Sequence, residues 1–256
     1  MIKVVNVREN GSLFHYAHFI CDCLLPEIVN DIHKYKKIYR IKNLNQTIGN
    51  FKKIYNEVTN TQNIELPKDK FNSLKLKTKI INNKKKINNI KHFNKFRKII
   101  FNKYDIRNIQ NDYPKILLIK RGNKISLIDD KDLSKINKNI SNGIERREIN
   151  NIDLLENILI KKYEDKNYFK SVFLEDISFI EQVKLFYYSN IIIVAHGAAL
   201  ANMLFCKENT LIIEVHCNKV WKYFDLISTK LKLKHVKSEN DHESIIKILD
   251  NNITYL

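Results

Sequence analysis

Four cysteines in 256 residues, with Cys21 and Cys23 two apart and Cys206 and Cys217 isolated, make neither a disulfide framework nor a CxxC cluster for structural zinc. They read as reduced, mostly buried thiols. The chain also lacks any run of about 18 consecutive apolar residues, which excludes a transmembrane span. Its start, MIKVVNVRENG, lacks the apolar core of a signal peptide, so a soluble, cytoplasmic protein is expected. General disorder is excluded as well, because 44% of residues are hydrophobic and apolar periodic segments recur along the whole length. No GxGxxG or GK[ST] phosphate loop is present.

What the chain has in excess is positive charge, net +17. It is not evenly spread. Residues 68–124 carry 18 Lys/Arg against 3 acids, whereas 1–67 carry 9 against 6 and 125–256 carry 18 against 19. This basic block is a solvated lysine-rich face or an anion-binding surface. Its interleaved aromatics, Phe71, Phe93, Phe96, Phe101 and Tyr104, suit stacking on nucleic-acid bases or, from their helical spacing, burial in a core. A basic nucleic-acid-binding module is thus one reading of the chain.

The hydrophobic pattern alternates strand and helix. It predicts strands at Ile2–Val7, Lys37–Ile41 and within Leu74–Ile81, with helices over Phe14–Ile32, Gly49–Val58 and Phe93–Tyr104. Asp112-Tyr113-Pro114 is the clearest break. Beyond it, strands are expected at Lys115–Lys120, Ser171–Leu174, Ile191–Ala195 and Leu211–Val215. Helices are expected over Asn151–Tyr163, Ser178–Tyr188, from Gly197 onward and over Trp221–Leu231, with Ser178 and Glu181 matching a capping box. Continuously apolar strands alternating with helices argue an α/β fold with parallel sheets covered on both faces. The expected division is a small lobe over 1–112 and a second over 113–256.

Three places could carry chemistry. In AHGAALANMLF, residues 195–205, an apolar strand ends and small residues lead into a helix, as at a phosphate site; Gly197 and Ala198 equally permit plain helix–strand packing. Glu214 sits near the end of the next strand, placed to accept from a ribose diol or to pair with a lysine, and Arg121 and Arg147 stand at element ends where a bidentate phosphate clamp could form. In HYAHFICDC, His18 and Asp22 are four apart, so a helix puts them on one face as a general base or as a simple polar contact. His15 is the next candidate.

Taken together and in order, HFICDCLLPE, KILLIKRG, ERREINNIDLLENIL, ISFIEQVKLFYYSN, IIIVAHGAALANMLF and TLIIEVH resemble glycosyltransferase family 61, over about 12–32 and 115–235. The resemblance implies a GT-B-like enzyme of two Rossmann-like lobes, moving a sugar from a nucleotide-diphosphate donor, a UDP-sugar, to a hydroxyl of a glycan or glycoprotein with inversion. His196, Gly197, Ala198 and Leu200 match the diphosphate loop, Arg121, Arg147, Glu181 and Glu214 the charged positions of that lobe, and His18 and Asp22 the first-lobe catalytic pair. It implies no resident cofactor and no metal, in keeping with the lack of an Asp-x-Asp motif in the second lobe. A family-like protein that binds glycan without catalysis is the remaining alternative.

Overall fold

β-branched runs and the helices between them build two parallel sheets, in a computed structural model that describes residues 1–7, 12–82, 87–108, 113–123, 147–163, 168–216 and 222–252. The described residues divide into two compact units, one through Lys103 and one from Tyr104. Each is a Rossmann-like layer of strands and helices. No helix among the described residues is long and apolar enough to cross a membrane.

The first unit has the strand order β3-β2-β1-β4, with β1 Ile2–Val7, β2 Lys37–Ile41, β3 Gln62–Leu66 and β4 Thr78–Asn82, all parallel. The helix expected over Phe14–Ile32 is not continuous. It runs as a single turn, α1 (Tyr16–His18), then a π-helical segment Phe19–Leu24, then α2 (Leu25–Val29). Pro26 supplies the reason: it has no N–H for the Asp22 carbonyl, and its ring crowds that carbonyl, so the coil widens. Asn6 Nδ2 donates to the Asp22 carbonyl instead, at 3.3 Å. After α3 (Lys52–Thr59) and α4 (Lys68–Ser73), α5 (Ile90–Lys103) turns Phe93, Phe96, Ile100 and Phe101 inward. Phe71, Phe93, Phe96 and Phe101 are therefore core residues, and the lysines of the basic block surround a hydrophobic helix face.

The second unit has the order β6-β5-β7-β8-β9, again all parallel: β5 Ile116–Lys120, β6 Phe169–Phe173, β7 Ile191–Ala195, β8 Leu211–Val215 and β9 Lys234–Ser238. The central β7 and β8 are buried at every position, as their unbroken apolar runs require. On one face Ile191, Ile193, Leu211 and Ile213 pack with Leu155 and Leu159 of α6 (Ile152–Lys162) and with Ile245 and Leu249 of α9 (His242–Asp250). The expected capping of α7 (Phe179–Tyr188) is present, Ser178 Oγ accepting from the Glu181 N–H at 3.2 Å. The helix after Gly197 is a 3-10 helix, Ala198–Phe205, and α8 covers Tyr223–Leu231. Trp221, the expected start of that last helix, and the polar stretch from Lys124 onward lie outside the described residues.

Candidate active site

The period of two along a strand places chemistry at one end of the second sheet. Val194 is in register with Glu214, and Ile212 with His235. His196 is two residues beyond Val194, and Glu214 two beyond Ile212. His196, Glu214 and His235 therefore share one face, opposite the wholly apolar one; His196 and Glu214 stand at the C-terminal end of the parallel strands, where ligands bind in open α/β sheets, and His235 lies one pleat back, near the start of β9. The ladder continues past β7, because the His196 N–H donates to the Val215 carbonyl at 3.0 Å.

These three side chains meet. His196 Nδ1 is hydrogen-bonded to Glu214 Oε1, and His235 Nε2 lies 2.6 Å from Glu214 Oε2. Glu214 is 0% exposed and His196 2%. Burial alone would raise the Glu214 carboxyl, but the two imidazoles outweigh it and hold it down to about 2. Glu214 is therefore an ionised acceptor, and Nδ1 of His196 carries the proton between them. Phe224 of α8 packs edge-on against the His196 ring, at 5.7 Å between centroids.

Around this pair the structure gathers most of the residues expected at the site. Arg147, half-buried, donates from Nη1 to the His196 carbonyl at 3.4 Å. Arg121, at the end of β5, spreads its guanidinium over Gly197, where a methyl group would lie 2.7 Å from Nη1. Its backbone is extended, so glycine at 197 gives space rather than conformational freedom: a side chain there would push the Arg121 guanidinium aside. Ala198 is exposed at the helix start, whereas Leu200 is wholly buried and shapes the loop from beneath. Glu181 is half-buried in the first turn of α7. The neighbouring Gln182 makes the tie to the loop: its Oε1 accepts from Asn202 at 3.1 Å and its Nε2 donates to the Leu174 carbonyl at 2.8 Å.

In the first unit His18 Nδ1, at the end of α1, and Asp22 Oδ2, on the π-helical segment, are 2.8 Å apart, with side chains 26% and 2% exposed. An imidazole with some solvent access is thus joined to a buried carboxylate. His15 stands beside it, its ring 6.4 Å from that of His18. Behind the pair lies a buried polar network. Arg40 Nη2 donates to both oxygens of Glu27 at 2.8 and 2.9 Å, and both residues are 0% exposed. Tyr55 donates to Glu27 Oε2 at 2.5 Å, Asn6 to Oε1 at 2.9 Å, and Arg40 Nε reaches Asn63 at 3.2 Å. Burial pushes the Tyr55 hydroxyl and the Cys23 thiol well above their ordinary values. Asn6 joins this network to the Asp22 carbonyl.

A family model described as Glycosyltransferase 61 matches residues 16–213. The chain belongs to this glycosyltransferase family. No curated protein matches it. The matched stretch of the glycosyltransferase holds His18, Asp22, Arg121, Arg147, Glu181 and the His196 loop; Glu214 lies one residue past its end, and His235 well beyond.

Sequence reasoning missed His235, Asp225 and Gln182 in this glycosyltransferase, along with the Arg40–Glu27 network. The signal for His235 was the KHVKS run, a short, polar edge strand. Glu214, Asp225 and His235 bring ligand atoms within 4.8 Å of one another, a spacing a metal ion could use. They are already occupied with other charges: Lys237 Nζ lies 3.0 Å from Asp225, and His235 touches Glu214. Cys21, Cys23 and Cys206 are buried, with no disulfide among the described residues.

Proposed function

We propose that this glycosyltransferase is a GT-B-type enzyme that moves a sugar from a UDP-sugar to a hydroxyl group of a glycan or glycoprotein, with inversion and without a metal. The observation that carries the donor reading is the convergence of Arg121 and Arg147 on the His196–Gly197 turn. Two guanidiniums at the open end of a parallel sheet form a fork suited to a diphosphate. They also supply the positive field that a departing diphosphate needs, which is the part a metal plays elsewhere.

The chemistry follows as a single displacement. The acceptor oxygen attacks the anomeric carbon as the bond from that carbon to the phosphate oxygen breaks. The acceptor proton passes to the His18–Asp22 pair, and the nucleoside diphosphate leaves with its charge held by Arg121 and Arg147. The His18–Asp22 geometry supports this role: the carboxylate fixes the imidazole, and either group can take the proton.

The test is equilibrium binding of a panel of nucleoside diphosphates to the full chain. UDP is expected to bind best, and Arg121→Ala and Arg147→Ala each to weaken it by about tenfold or more, the scale of a charge-assisted hydrogen bond. Wild-type protein that binds none of the panel overturns the donor reading.

A further inference from the structure

His235 takes part in nothing that the sequence motifs assign, yet its side chain keeps only 6% exposure, with a charged neighbour on either side, Glu214 and Asp225. Its Nε2 is 2.6 Å from the Glu214 carboxylate. Its Nδ1 is 3.1 Å from Ser228 Oγ and 3.6 Å from Asp225 Oδ1. The Ser228 hydroxyl gives its one hydrogen to the Asp225 carbonyl, at 2.9 Å, so toward His235 it can only accept. Both ring nitrogens of His235 thus face oxygen atoms, Nε2 meeting Glu214 Oε2 at close range but out of line for a hydrogen bond. Lys237 balances the outer carboxylate, at 3.0 Å from Asp225.

We propose that His235 is a positioning residue of the donor site: wedged between Glu214 and Asp225, it fixes the Glu214 carboxylate and, through it, the proton on Nδ1 of His196. A buried carboxylate with one partner would be free to turn or to take up a proton. With the His235 ring against its second oxygen, it stays ionised and keeps the His196 ring in one orientation and one tautomer. His196 opens the loop that Arg121 and Arg147 flank. This inference rests on the reading of that loop as the diphosphate site.

The experiment is nitrogen NMR of the full chain with ¹⁵N-labelled histidine, joined to UDP binding, for wild type, His235→Phe and His235→Gln. Phe keeps the volume and removes both ring nitrogens, while Gln keeps an N–H for Glu214. In the wild type His196 is expected protonated on Nδ1. In His235→Phe the hydrogen-bonded Nδ1 signal of His196 is expected to disappear and UDP affinity to fall by about tenfold, with Gln restoring both in large part. A purely structural role would not give rescue by Gln at equal melting temperature. Wild-type His196 with a bare Nδ1 overturns the proposal without need of any variant, as does folded His235→Phe protein with an unchanged His196 signal. A wild type that shows this proton position but binds no UDP overturns the donor reading instead.

Discussion

Each unit holds a wholly buried glutamate at the heart of a polar cluster, Glu27 in the first and Glu214 in the second, and their partners differ in kind. Glu27 is met by a guanidinium, a phenol and an amide. The guanidinium does not give up its proton, and Arg40, opposed by burial but favoured by acidic neighbours that include Glu27, stays charged. Glu214 is met by two imidazoles, the side chain that gains and loses protons near neutrality. A fixed charge pair suits a scaffold, and this one anchors β1, β2 and the helical segment that carries Asp22. A carboxylate held between two rings, beside a turn that two arginines reach, suits a site that meets a charged ligand.

The largest expected effect is on the scaffold. Arg40→Met leaves Glu27 buried without its cation and should cost about 3–5 kcal/mol in denaturant unfolding. Pairing it with Glu27→Leu should recover much of that loss; a double variant as unstable as the single would show that the cluster is not a simple charge pair. Asp22→Asn should instead spare stability. It keeps the shape, removes the basic carboxylate and should lower turnover by roughly 10²-fold or more, with UDP affinity unchanged. Full activity in Asp22→Asn would move the base elsewhere, with His15 next to be tested.

Smaller again is Gly197→Ala. Its methyl would meet the Arg121 guanidinium at 2.7 Å, so UDP binding should weaken by about tenfold while the melting temperature barely moves. The last expected effect is a pH dependence at Glu214, seen only in acid. Its carboxyl is lowered in the folded protein from 4.5 to about 2, so the stability it lends is fully present above the unfolded value and is lost as pH falls through that window. Thermal melts from pH 4.5 down to about 2 should therefore fall more steeply for wild type than for Glu214→Gln. Parallel curves would mean that Glu214 gains nothing from its imidazoles.

The second sheet was legible because IIIVA and LIIEV leave no choice but a doubly covered parallel strand, and because small residues after IIIVA mark the turn where a ligand can come close. The His18–Asp22 pair was legible from spacing alone, and its contact survives the change from α to π coil. What escaped has physical causes. Strand β9, KHVKS, is only partly buried along most of its length and carries charge outward, so it gives no apolar run. The Arg40–Glu27 pair joins residues 13 apart on a strand and a helix, and nothing local distinguishes a buried arginine in a chain with 45 basic residues. The π segment depended on what Pro26 does to a carbonyl four residues earlier, a steric effect invisible to hydrophobic periodicity.

Amide hydrogen exchange with and without UDP tests the central claim most directly. The account predicts that UDP slows exchange most strongly over Ile191–Phe205 and in the segments around Arg121 and Arg147. Slowing confined to residues 1–103 would contradict it.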